Sequence, residues 1–167
     1  GPPPGGSQGS FINPVASALL NTNNLIRKNF MGNFYADIAF TKNLTYRFEM
    51  GGNTEFTTNE QFFPTYVWGS AKNEHAVFIA RAQNFSSYNI KNYLTYNNNF
   101  GKHSLNVLLG QEANDNMWNG NSYNVTDFVS NSIQQIHLGD QTTLKGGDYK
   151  GSNSLYSFYG RVIYEFD

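Results

Sequence analysis

The chain has no cysteine, which excludes disulfide frameworks, thiolate metal sites and cysteine nucleophiles. Charge is scarce as well: Asp, Glu, Lys and Arg make up 14% of the 167 residues, well under the usual quarter. The 11 basic residues are offset by 12 acidic ones, so the chain carries no electrostatic footprint for nucleic acid. Long hydrophobic runs are missing. The longest is Ala76-Val77-Phe78-Ile79-Ala80, against roughly 20 residues for a membrane-spanning helix. The opening Gly1-Pro2-Pro3-Pro4-Gly5-Gly6 is low-complexity and does not read as a secretory signal. An extracytoplasmic protein with this sequence is expected to be a mature form or an excised piece.

Aromatic residues are plentiful, at 16% with 11 Tyr and 14 Phe, and there are 24 Asn. Combined with a mean hydropathy of −0.51, this fits a β-rich chain with one apolar and one polar face. It does not fit a disordered chain or a helical bundle.

Alternation with period two is strong, and helical periodicity is poor. Five strands are predicted, over 30–40, 44–58, 76–100, 103–112 and 154–166. One face carries Phe30, Phe34, Phe48, Leu94, Tyr96, Val107, Phe158 and Tyr164. The opposite face carries every charge within these spans, including Asp37, Arg47, Glu49 and Arg161. Because a strand sends alternate residues to opposite faces, such one-sided charge is a statement about two different environments.

A soluble β-sandwich and an outer-membrane barrel both produce that pattern. The strands, at 10 to 25 residues in these spans, far exceed the five or six typical of globular proteins. Connections alternate short and long: 41–43, 59–75, 101–102 and 113–152. That is the rhythm of up-and-down barrel strands with tight turns at one end and large loops at the other. The expected fold class is therefore all-β, with antiparallel up-and-down strands forming part of a large transmembrane β-barrel. Residues 1–27 are read as a flexible N-terminal loop segment and 28–167 as a partial barrel. Five strands fall short of the roughly eight that close a transmembrane barrel, so a piece of something larger is expected. The alternative is a secreted β-sandwich that binds glycans.

Asn13-Pro14-Val15-Ala16, Gly32-Asn33-Phe34-Tyr35, Leu94-Thr95-Tyr96-Asn97, Phe100-Gly101-Lys102-His103-Ser104-Leu105-Asn106-Val107 and Tyr159-Gly160-Arg161-Val162-Ile163-Tyr164 follow one another in a telling order. In that succession the chain resembles the SusC-like TonB-dependent transporters of the Bacteroidetes outer membrane, over about residues 13–167. The resemblance implies an interior slice of a 22-stranded barrel that imports oligosaccharides or peptides for nutrient uptake. It implies a SusD-like surface lipoprotein as partner, and the TonB complex acting through a plug region outside this sequence. It implies outer-membrane lipid around the apolar face, no cofactor and no enzymatic activity. The sequence departs from the family near Asn124-Val125-Thr126-Asp127-Phe128, which lacks a preceding Phe-Pro.

Other candidates have plainer explanations. Gly5-Gly6-Ser7-Gln8-Gly9 matches a nucleophile-elbow pattern, but that motif needs a strand before it and a helix after it. His75, His103 and His137 lack metal-ligand spacing. Asp115, Asp127, Asp140 and Asp148 have no EF-hand spacing and read as solvated loop acids. Asp37, Glu49 and Glu55 imitate a glycosidase pair, but Arg47 is close enough in sequence to pair with them in a polar lining. The best contact candidates are the rings assigned to the two long loops: Phe62, Phe63, Tyr66 and Trp68 on the first, Trp118 and Tyr123 on the second.

The face assignment predicts opposite outcomes for two substitutions. Phe34→Asp costs on the order of 2 kcal/mol in outer-membrane assembly of the full-length protein, and Arg47→Gln is mild. Assembly yields in which Phe34→Asp matches wild type would refute the assignment.

Overall fold

The computed structural model describes residues 20–68 and 71–167. Strands β1 (Thr22–Ala39), β2 (Leu44–Phe63), β3 (Tyr66–Trp68), β4 (Ala71–Asn73), β5 (Val77–Phe100), β6 (His103–Thr126) and β7 (Lys145–Phe166) follow in chain order. The five long strands form one sheet in the order β1-β2-β5-β6-β7, and β3 and β4 pair as a small antiparallel hairpin. Two single 3-10 turns, Ile136–Leu138 and Gln141–Thr143, lie between β6 and β7. Apart from the hairpin, sheet order is chain order, which is the signature of an up-and-down meander.

Local chemistry explains the tight turns. Thr41 Oγ1 accepts from the backbone N–H groups of Asn43 and Leu44, at 3.2 and 3.0 Å, and closes the β1–β2 turn. Gly101 adopts φ +65° between β5 and β6, a conformation that costs glycine little. From that turn onward β5 and β6 hold one register. The pairs Asn97–Asn106, Asn92–Gln111, Lys91–Glu112 and Asn84–Asn119 all fit the same antiparallel alignment. The pairs Asn116–Asn153 and Asp115–Ser154 do the same for β6 and β7.

The chain divides into two compact units, each taking stretches of the long strands. Of the described residues, the first comprises 20–27, 57–68, 71–82 and 120–148, and it holds their buried core. Phe62, Ala76, Phe78 and Val125 are at most 5% exposed, with Ala80, Phe128 and Ile136 packed against them. Phe62 and Phe128 meet edge to face, centroids 5.2 Å apart. Two latches join the connections 64–76 and 127–144. Asn131 Oδ1 accepts from the Thr65 N–H and hydroxyl, and its Nδ2 donates to Thr65 O. His75 Nδ1 lies 2.5 Å from Asp127 Oδ1, and the Asp127 N–H donates to Ala76 O at 3.0 Å. Asp127 has φ 62°, the left-handed region that Asp tolerates better than most residues.

The second unit comprises 28–56, 83–119 and 149–167. Here the rings lie bare: Phe30, Phe34 and Phe158 are 80%, 63% and 73% exposed, with Tyr96 and Tyr164 also exposed and Phe48, Leu94 and Val107 half-buried. His103 stacks on Phe100 and Tyr164 beside the β5–β6 turn, and its Nδ1 lies 2.5 Å from the Tyr164 hydroxyl. The only other sheet among the described residues is the β3–β4 hairpin, so the second layer that a β-sandwich requires is not present.

Several expected boundaries shift. β1 begins at Thr22, inside the segment read as a loop through 27. β2 runs to Phe63, β6 runs to Thr126, and β7 starts at Lys145. The loops expected at 59–75 and 113–152 are correspondingly shorter. These extensions are rich in Asn, Gly and Ser and have no apolar face to announce them, yet a strand ladder needs only backbone donors and acceptors. Charges there also leave the one-sided rule. Asp115 falls on the face of β6 that carries Val107, and it accepts from the Ser154 hydroxyl at 2.8 Å.

Two predictions follow from the first unit. Phe62→Ala empties the centre of the core formed by its described residues and destabilises that unit by about 3 kcal/mol, measurable as accelerated amide exchange of Phe78 and Val125. The second concerns pH. Asp127 holds the His75 imidazolium above its ordinary value, and His75 followed by the Thr126 hydroxyl holds the Asp127 carboxyl below its own. The histidine's contribution is complete below about 6.5 and fades as pH rises through its raised value. The aspartate's is complete above about 3.9 and fades as pH falls through its lowered value. The pair is therefore strongest between those limits. An NMR titration should find the His75 midpoint above 6.5, falling in Asp127→Asn, which leaves only the weaker pull of Glu74.

Candidate functional site

The polar face of the second unit is organised by cross-strand pairing. Strand alternation places Asp37, Arg47, Glu49, Lys91 and Glu112 on one side. Across the β1–β2 pair, Arg47 Nε and Nη2 donate to the two Asp37 carboxylate oxygens at 2.6 and 2.7 Å. This two-pronged geometry suits a planar guanidinium. Arg47 also approaches Glu49 at 3.7 Å and sits over the Tyr35 ring, 5.2 Å from its centroid. Lys91 on β5 faces Glu112 on β6 at 3.8 Å.

These side chains border a concavity of about 530 Å³, lined by Asp37, Thr45, Arg47, Glu49, Tyr93, Thr95 and Leu108. Beside it Tyr159 packs on Tyr93 and covers Gly110, where an added Cβ would meet the Tyr159 ring at 2.2 Å. Arg161 is exposed and makes no ion pair among the described residues. The Asp37 and Glu49 carboxylates flank a guanidinium, which suits a charge-compensated polar wall better than an acid–base pair.

The rings expected to gather on loops do not form one patch. Phe62 is 1% exposed and belongs to the core, so it is unavailable to a ligand. Phe63 ends β2 and Tyr66 opens β3, both half-buried; the Trp68 side chain lies outside the described residues. Trp118 and Tyr123 stand on β6, on opposite faces. Trp118 covers Gly151 and Tyr123 covers Gly146. The two motifs at Gly5–Gly9 and Asn13–Ala16 lie outside the described residues. No group of three or more His, Asp or Glu side chains that could hold a metal occurs among the described residues. Asp140 instead caps a 3-10 turn through Thr142.

One feature escaped the periodicity argument. Tyr46, Asn92 and Gln111 share the apolar face and join in a chain. The Tyr46 hydroxyl donates to Asn92 Oδ1 at 2.5 Å, and Asn92 Nδ2 donates to Gln111 Oε1. The available signal was an Asn in the even-numbered row of β5 and a Gln in the odd-numbered row of β6.

No family profile matches the chain. Two proteins of Formosa agariphila do. TonB-dependent receptor P3 is 31% identical over 156 residues, covering 92% of the chain and 15% of the receptor. TonB-dependent receptor P26 is 24% identical over 166 residues, covering 93% and 16%. The chain thus spans about a sixth of the length of these relatives. Among solved structures, the RagAB peptide transporter superposes with a TM-score of 0.81 at 21% identity, over 90% of this chain and 17% of that one. The RagAB peptide importer in its open-open state gives 0.82, also at 21% identity and over the same shares. A bare aromatic face, a charge-compensated polar face and these relatives agree: the chain is a segment of outer-membrane β-barrel wall of the TonB-dependent receptor family.

Proposed function

We propose that this segment is barrel wall in a TonB-driven importer of oligosaccharides or peptides. The polar face with Asp37, Arg47, Glu49 and Arg161 lines the lumen, and the face with Phe30, Phe34, Phe48, Leu94, Tyr96, Val107, Phe158 and Tyr164 meets lipid. The whole protein works with a SusD-like surface lipoprotein over the long-loop end. TonB acts on a plug encoded elsewhere in the polypeptide. The observation that carries this reading is the contrast between the two faces. Rings up to 80% exposed on one side suit hydrocarbon, whereas the paired charges on the other require water or polar neighbours. The relatives bear receptor and transporter names, in keeping with a non-enzymatic role. No chemistry is assigned to the wall itself; it offers passing solute a lining whose charges are already compensated.

The absence of cysteine makes a direct test simple. In the full-length receptor, freed of any other cysteine and held in lipid nanodiscs, Arg47→Cys should react with a charged thiol reagent. Phe34→Cys should react only with an apolar one. Equal labelling of both by the charged reagent would refute the two-face assignment. Uptake of labelled oligosaccharides or peptides by cells carrying the receptor should cease when TonB is deleted, and uptake that continues would remove the transport reading.

A further inference from the structure

We propose that Lys42 and Lys102, one in each tight turn, hold the phosphate groups of anionic phospholipids in the leaflet at the turn end of the barrel. This inference rests on the barrel-wall reading and names a lipid partner for one rim of that wall.

The apolar row fixes where the hydrocarbon ends. On β7 it runs the ten residues from Tyr156 to Phe166 without a charged side chain. Such a span rises about 33 Å along the strand. At the tilt of barrel strands that is about 25 Å along the membrane normal, the height of an outer-membrane apolar band. Rings close the band at the turn end. His103 stacks on Phe100 and Tyr164, and its centroid lies 5.0 Å from that of Phe166. Phe40, Phe100, Tyr164 and Phe166 are all exposed, as suits rings at a membrane–water interface.

The two lysines stand just past this belt. Phe40 is followed two residues on by Lys42, and Phe100 by Lys102. That step is about 7 Å of chain, enough to pass from the edge of the hydrocarbon into a headgroup layer about 5–7 Å thick. Both lysines are exposed, and neither makes an ion pair among the described residues. Acids at this end do not neutralise them. Strand alternation turns Glu165 to the polar face, and Asp167 meets Lys102 through its backbone, its N–H donating to Lys102 O at 2.9 Å. Between the turns, Asn43 Nδ2 donates to Asn98 Oδ1 at 2.6 Å. The bond leaves Asn98 Nδ2 as a donor in the row that carries Tyr96 and Phe100. Two ammonium groups and an amide donor beside a ring belt complement a phosphate diester that bears acyl chains. A zwitterionic headgroup brings its own ammonium and gains less from them. Free phosphate has no chains for the rings to meet.

The test uses the full-length receptor in detergent, titrated with dioleoyl phosphatidylglycerol or dioleoyl phosphatidylcholine, with bound lipid counted by native mass spectrometry. Phosphatidylglycerol should bind more tightly. Lys42→Gln and Lys102→Gln should each weaken it about fivefold, the scale of one cation at an anionic lipid surface, and leave phosphatidylcholine unchanged. Lys42→Arg and Lys102→Arg, which keep the charge, should stay within about twofold of wild type. Lys72→Gln, which removes a charge from the β3–β4 hairpin, should have no effect. Equal binding of the two lipids by wild type would overturn the proposal. So would phosphatidylglycerol binding that survives the double glutamine variant, or that falls as far in Lys72→Gln. Full competition by inorganic phosphate at constant ionic strength would assign the lysines to a free anion and overturn it too. Thiol labelling of Phe34→Cys separates the two readings. Labelling by the apolar reagent alone, alongside any of these failures, leaves the barrel wall standing and removes only the headgroup contact. Labelling by the charged reagent removes both.

Discussion

Backbone pairing is the constraint on which the sheet depends. Strands of up to 24 residues carry one donor and one acceptor per residue, and the only other sheet among the described residues is the short β3–β4 hairpin. In hydrocarbon each unpaired group would cost several kcal/mol, because no water can replace the missing partner. The unbroken register from Asn97–Asn106 to Asn84–Asn119 meets that demand without a bulge between β5 and β6. It also dictates which side chains meet. Asp37 finds Arg47, and Lys91 finds Glu112, because the ladder sets them opposite one another rather than because the ion pairs assemble the sheet. Exposed pairs of this kind contribute little stability on their own.

The sidedness of the second unit follows from the same ladder. Once register is set, parity decides the environment of every side chain, and a slip by one residue would turn Phe34 and Arg47 to the wrong faces. The first unit is held differently, by a small aromatic core and two latches between its connections. Phe62, Phe78 and Phe128 pack there much as in a soluble protein, and the His75–Asp127 and Thr65–Asn131 contacts tie the connections together.

What was legible in the sequence reflects this division. Between Phe30 and Phe40, or Leu44 and Met50, one face is apolar and the other polar, so alternation alone reveals both strand and face. From Asn114 to Asn124 and from Lys145 to Asn153 both faces are polar, periodicity disappears, and the residues imitate a loop while still pairing as strand. The contact candidates suffered from that error. In the sequence Trp118 and Tyr123 look like loop rings, whereas in the structure each stands on β6 opposite a glycine, Gly151 and Gly146. Phe62 looked like a ligand contact because its partners Phe78 and Phe128 are distant in sequence, and no local pattern could announce their meeting. The Tyr46–Asn92–Gln111 chain was hidden for the opposite reason, as an exception within a strong rule.

The pairing of rings with glycines carries a mechanical consequence. Tyr159 over Gly110, Trp118 over Gly151 and Tyr123 over Gly146 each lay a large side chain from one strand across the bare backbone of its neighbour. Each acts as a cross-brace between β6 and β7: sliding one strand past the other would drive the ring off its glycine and onto a residue that has a Cβ. A hairpin braced in this way resists shear along the strand axis more than peeling at its end. Under load it should give way from the termini inward, with the ring-capped positions the last to part.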